Sequence, residues 1–105
     1  MNITKLLNAM SRHQGCENGI SAEHLAIELD VNQRSLRKLI GAAREDGFAI
    51  CGMPHTGYYM PTTPEELNDA CKFLEARALH SLRSLSRMKK VALPELLGQL
   101  NLNQA

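Results

Sequence analysis

Apolar side chains recur along this chain in sets spaced i, i+3, i+4, i+7. Ile3, Leu6, Leu7 and Met10 form the first set; Ala22, Leu25, Ala26 and Leu29 the second; Leu36, Leu39, Ile40 and Ala43 the third. At 3.6 residues per turn each set falls on one stripe, which predicts three short amphipathic helices. Their starts carry matching signals, because Asn2, Ser21 and Asn32 each have a side-chain oxygen able to accept from a free first-turn N–H. Gly47, just after Arg44-Glu45-Asp46, stands where a left-handed residue would end the third helix. Beyond it the period changes. Phe48-Ala49-Ile50-Cys51 alternates large and small, as a half-buried strand does. Gly52 to Gly57 is rich in turn formers, and Tyr58-Tyr59-Met60 reads as a returning strand closed by Pro61. Residues 48–60 are therefore expected to form one hairpin with a long tip, one of the two tyrosines facing the core. Residues 16–20 are a candidate for a very short third strand.

The helical period then returns for longer. Thr63-Pro64-Glu65-Glu66 has a capping threonine, proline at the first helical position and glutamate at the third, the pattern of a capping box. No breaker follows until Pro94, so a fourth helix is expected from Pro64 to about Lys90. Its apolar positions are Leu67, Ala70, Cys71, Leu74, Ala78, Leu82, Leu85 and Met88. Acids crowd its start and bases its end, which suits the helix dipole. Leu93, Leu96, Leu97 and Leu100 repeat the helical spacing in a short last helix, and Asn101 to Ala105 is expected to fray. The division expected from these patterns is residues 1–61 as one domain and 62–105 as a helical tail.

Composition removes several classes. At 105 residues, 44% hydrophobic and 22% charged, the chain has the apolar content of a single folded domain and not of a disordered tail. No apolar run approaches the roughly 20 residues of a membrane helix. Met1 to Lys5 lacks a charged leader followed by a continuous apolar stretch, so no secretory signal is expected there. Three widely spaced cysteines give no disulfide framework, which suits a reducing cytoplasm. Net charge is only +1, but its distribution is uneven. Residues 32–44 hold four basic side chains (Arg34, Arg37, Lys38, Arg44) and no acid; residues 76–94 hold five (Arg77, Arg83, Arg87, Lys89, Lys90) and again no acid. Two basic segments on a nearly neutral chain read as local anion-binding surfaces.

The first of these segments coincides with a motif. Ala22 to Leu29 is followed by Asp30-Val31-Asn32 and then by Gln33-Arg34-Ser35-Leu36-Arg37-Lys38-Leu39-Ile40. A helix-turn-helix needs a small residue where the helices cross (Ala26), a tight turn closed by an apolar residue (Val31), and an apolar stripe on the second helix (Leu36, Ile40), with polar side chains outward at its N-terminal end. Here the sequence resembles the winged helix-turn-helix domains of DeoR-type regulators and the biotin repressor. The likeness covers roughly residues 3–60 and includes Asn32 to Arg44, Gly47-Phe48-Ala49-Ile50, and a wing ending Pro54-His55-Thr56-Gly57-Tyr58. It departs from the family at the wing tip, where His55 stands in the place of a frequent arginine, and it lacks a sugar-phosphate or biotin domain. Residues 61–105 are similar in general character to the helical tails of small phage or prophage regulators. The fold expected is therefore mainly α with a small β-hairpin wing, followed by a long and a short C-terminal helix.

The resemblance implies double-stranded DNA as partner, with Asn32, Gln33, Arg34, Ser35, Arg37, Lys38 and Arg44 of the third helix and His55 and Thr56 of the wing as contacts. Gln33, Arg34 and Arg37 would face base edges, and Ser35 and Lys38 phosphates. A helix of about 27 residues spans ~40 Å, longer than such a domain, so part of its stripe needs another cover. A homodimer through Leu67, Cys71, Leu74, Ala78, Leu82, Leu85 and Met88 is expected, although Ser81 interrupts the seam. The basic run from Arg77 to Lys90 reads first as a solvated face and second as a phosphate contact. Leu93 to Leu100 reads first as packing on the fourth helix and second as a docking helix for another protein, the basis of an alternative role as an interaction or assembly module; an architectural or replication-origin binder is a further one. His13, Cys16, His24, Cys51, His55, Cys71 and His80 are not in a known metal-ligand spacing, and Cys51 and Cys71 sit on apolar stripes as expected core residues. No paired carboxylates, nucleophile elbow or phosphate loop stands in the sequence, so neither catalysis nor a cofactor is expected.

Overall fold

The computed structural model describes residues 2–101. It contains α1 (Ile3–Met10), a 3-10 turn (Cys16–Asn18), α2 (Ala22–Leu29), α3 (Gln33–Glu45), β1 (Cys51–Met53), β2 (Gly57–Tyr59), α4 (Pro64–Lys89) and α5 (Leu93–Gln99). The architecture is mainly helical with one two-stranded antiparallel sheet. Packing divides the chain into an N-terminal unit ending at Cys71 and a C-terminal unit starting at Lys72, a boundary that falls inside α4.

In the N-terminal unit the three predicted stripes become one core. Leu6, Ala9 and Met10 of α1, Leu25, Ala26 and Leu29 of α2, and Leu36, Ile40 and Ala43 of α3 are buried together with Ile50. The predicted caps close the helices: Asn2 Oδ1 accepts from the Lys5 N–H at 2.9 Å, Ser21 Oγ from His24 at 3.2 Å and Asn32 Oδ1 from Ser35 at 2.7 Å. Between α2 and α3, Asp30 takes the left-handed conformation (φ 56°), and the Val31 N–H reaches back to the Ala26 carbonyl at 2.9 Å. This is a Schellman closure made by an aspartate, one of the few non-glycine residues that visit this region. Gly47 does the same for α3 at φ 95°, with its N–H on the Arg44 carbonyl and the Phe48 N–H on that of Ala43.

The hairpin differs from its expected outline. Phe48 to Ile50 is not a strand; β1 starts at Cys51 and pairs Cys51 with Tyr59, Gly52 with Tyr58 and Met53 with Gly57. The reason is local. The Phe48 N–H is consumed by the end of α3, and the Ile50 carbonyl accepts from Arg44 Nε at 2.8 Å, so these groups are not free for a ladder. The tip is short, Pro54-His55-Thr56 alone. The expected third strand is instead the 3-10 turn at Cys16–Asn18 followed by a single bridge, in which Ile20 and Tyr58 exchange N–H···O bonds of 2.9 and 2.7 Å. On the same side the Gly15 N–H donates to the Met60 carbonyl at 2.7 Å, and that of Met60 to His13 at 2.8 Å. Gly57 is required here: its φ is 76°, and a Cβ added to it would stand 2.3 Å from the Ile20 carbonyl oxygen.

Tyr59 and Cys51 are buried against Ala70 of α4, with Cys16 and Met53 half-buried around them. Cys71, expected in the core, is exposed, because the face that α4 turns inward passes through Glu66 and Ala70 instead. Thr63 caps α4 as expected, its Oγ1 accepting from the Glu66 N–H at 3.1 Å. The glutamate, however, does not return to Thr63. Its carboxylate accepts from the Thr62 N–H and from the Cys16 N–H, each at 2.9 Å, and so spans 50 residues of sequence.

In the C-terminal unit Leu96 of α5 is fully buried, and Leu79, Leu82, Leu85, Val91, Leu93 and Leu97 are half-buried. α4 ends at Lys89, with Lys90 left-handed (φ 56°) and the Val91 N–H bonded to the Ser86 carbonyl. The Ser86 hydroxyl donates in turn to the Val91 carbonyl. Of the expected frayed end, Asn101 is left-handed (φ 58°), and residues 102–105 lie outside those described. Among the described residues no helix is long and apolar enough to cross a membrane.

Candidate nucleic-acid interface

α3 sorts its side chains by face. Leu36, Ile40 and Ala43 are buried and Leu39 is half-buried, which leaves Gln33, Arg34, Arg37 and Lys38 exposed around its first two turns. From Val31 to Arg44 there is no acidic residue. Among the described residues the one side-chain ion pair is Arg12 with Glu28, so Arg34, Arg37 and Lys38 are not paired with a described carboxylate. The helix start adds its own positive end to these three cations.

The remaining candidates divide by what else they do. Asn32 is exposed, but its side-chain oxygen is held by the Ser35 N–H, and Ser35 is half-buried. Arg44 is half-buried and its Nε is committed to the Ile50 carbonyl; it joins the end of α3 to the chain entering β1. At the hairpin tip His55 is exposed, while Thr56 is half-buried with its hydroxyl donating to the Gly57 carbonyl at 3.3 Å. The hairpin is not a loose arm, because the Ile20–Tyr58 bridge ties β2 to the residues that lead directly into α2.

Two neighbouring features carry no sequence motif. Gly41 and Ala42 continue the outward face of α3, and a Cβ at Gly41 would meet nothing within 4 Å. A glycine inside a helix costs about 0.5–1 kcal/mol against alanine, and here nothing within the chain requires it. The signal that could have found it is the interruption of a strongly periodic helix by glycine. The other is Ile27 of α2, which is 69% exposed although its neighbours Leu25, Ala26 and Leu29 are core.

The expected seam of α4 is open to solvent along its first half. Leu67 is 38% and Leu74 39% exposed, and Cys71 and Ala78 are exposed between them. Farther along, Leu82 and Leu85 are half-buried and Met88 is 82% exposed.

The cysteines and histidines form no centre. Among the described residues no group of three or more His, Cys, Asp or Glu side chains is placed to hold a metal ion. The Cys16 thiol is pushed up by its hydrogen bond to Glu66 and that of Cys51 by burial, so both are held as thiols. Glu66 moves the other way: the Cys16 and Thr62 N–H groups stabilise its charged form and bring its pKa down to about 2.

Compared with known protein families, curated proteins and solved structures, the chain matches none of them.

Proposed function

We propose that the chain is a winged helix-turn-helix protein that binds double-stranded DNA by placing α3 in the major groove and regulates transcription, in a cytoplasmic bacterial or phage setting. The observation that carries this reading is the exposed, acid-free cluster of Gln33, Arg34, Arg37 and Lys38 on the first turns of a helix whose other face is core. Those turns are the part of a recognition helix that reaches base edges. The bare stretch at Gly41 and Ala42 supports the same reading, since a helix seated in a groove needs small side chains where its backbone approaches the duplex. The hairpin, tied through Ile20 to the start of α2, serves as the wing, with His55 at its tip.

The test is selection of bound sequences from random duplexes, followed by titration of the best one at several salt concentrations. Arg37→Ala is expected to relax preference at one base pair and to cost about 1–3 kcal/mol on the best site. Lys38→Ala is expected to weaken all sequences alike and to reduce the salt slope by about one. If Arg34→Ala and Arg37→Ala together leave affinity unchanged, α3 is not the reading element, and a role as a protein-interaction module replaces this one.

A further inference from the structure

The two units differ in charge. Residues 72–105 hold six basic and two acidic side chains, a net +4, while residues 1–71 hold six and nine, a net −3. Much of the excess lies on one side of α4, within the C-terminal unit. Arg77, His80, Arg83 and Arg87 are all exposed, and at about 100° per residue they fall within an arc of about 120°. Over residues 76–88 this arc contains no acid, and its other members, Ala76 and Ser84, are small. Among the described residues the one side-chain ion pair is Arg12 with Glu28, so none of the three arginines is paired with a described carboxylate. Arg77 lies over the Phe73 ring, 5.8 Å from its centre, a contact that leaves its charge uncompensated. The negative end of the helix dipole accounts for bases in the last turn, where Arg87 and Lys89 stand. It does not account for Arg77 and Arg83, which lie before that turn.

We infer that this arc is a second nucleic-acid surface, which holds the phosphate backbone of a duplex without reading its sequence. It goes beyond the reading of α3, because it belongs to the other unit and needs no base contact. The chemistry fits phosphate. All three permanent cations of the arc are arginines, whose planar fork gives two N–H groups to one phosphate group. The length fits as well. Ten residues separate Arg77 from Arg87, about 15 Å of helix, and one DNA strand offers about four phosphates over that distance. An anionic membrane is a poorer match. A helix lying on a bilayer inserts its apolar side, and here Leu82 and Leu85, on the side away from the arc, are already half-buried.

The experiment is titration of the full chain with a fluorescent duplex of arbitrary sequence at several salt concentrations. Arg83→Gln with Arg87→Gln is expected to weaken binding by about tenfold or more at low salt and to lower the salt slope by about two. Arg83→Lys with Arg87→Lys keeps the charge and is expected to retain the wild-type slope. Lys5→Gln with Lys89→Gln removes the same charge outside the arc, since Lys5 is on α1 and Lys89 points to the opposite side of α4; its slope is expected to stay at the wild-type value. All these positions are exposed, and circular dichroism checks that helix content is kept. Preference among sequences is expected to be unchanged by the glutamine pair in the arc, whereas Arg34→Ala with Arg37→Ala alters it, so the two surfaces fail separately. An unchanged slope in the Arg83→Gln, Arg87→Gln variant overturns the inference. So does an equal fall in the Lys5→Gln, Lys89→Gln variant, which would make net charge alone the cause. Binding to phosphatidylserine vesicles that the arc variant abolishes while duplex binding persists would assign the arc to a membrane instead.

Discussion

The N-terminal and C-terminal units are both helical, and they hold themselves together in different ways. In the first, three helices contribute buried side chains to one cluster, and side-chain oxygens close the helix starts at Asn2, Ser21 and Asn32. In the second, Leu96 alone is buried among the described residues, and the leucines around it are half-covered. Apolar periodicity is equally clear in both. What separates them is the number of elements that can converge: a stripe is buried fully when two others close over it. The α4 stripe is covered only in part: Ala70 is buried and Leu82 and Leu85 are half-buried, while Leu67, Cys71, Leu74, Ala78 and Met88 are exposed.

This contrast is breakable. The largest effect is expected in the core of the N-terminal unit, where Leu36→Ala or Ile40→Ala should lower stability by about 2–5 kcal/mol in urea unfolding. Met88→Ala on α4, measured at high dilution, should change it by less than about 0.5 kcal/mol. Equal losses at both places would erase the distinction. Next comes Gly57→Ala, which puts a Cβ against the Ile20 carbonyl at a positive φ; a loss of more than about 1 kcal/mol is expected, together with loss of amide protection at Ile20 and Tyr58.

Acid sharpens the comparison within the N-terminal unit. Glu66 has its pKa lowered from 4.5 to about 2 in the folded chain, so its contribution is complete above about 4.5 and is lost as pH falls toward 2. Glu66→Gln should therefore be less stable than wild type at neutral pH, with the gap closing over that window. A gap that stays constant to pH 2 would mean that the carboxylate is not held as described. The smallest effect is expected at Gly41. Gly41→Ala should gain about 0.5–1 kcal/mol of stability while weakening DNA binding; unchanged affinity would mean that this part of α3 stays clear of the duplex.

Much of the fold is legible in the sequence because it is local. Spacing alone places Leu25, Ala26, Leu29, Leu36 and Ile40 in the core, and the polar residue ahead of each stripe is the cap the structure uses. The exposed face of α3 is legible for the same reason, since Gln33, Arg34, Arg37 and Lys38 are what the stripe leaves out. What escapes is set by partners remote in the chain. The start of β1 at Cys51 depends on Arg44 holding the Ile50 carbonyl, and the exposure of Cys71 depends on which side of α4 meets Tyr59. Glu66 is the clearest instance: its position promises a local box, and a bond to Cys16 takes its place.

That bond bears on how the chain can be cut. The composition of the sequence invites a break after Pro61, where the hairpin closes and the next helix has not begun. A fragment ending there would leave the Cys16 amide without its acceptor and uncover the side of Tyr59 and Cys51 that Ala70 shields. The smallest piece able to keep its own strands dry thus carries the first two turns of α4 as a splint, through Cys71.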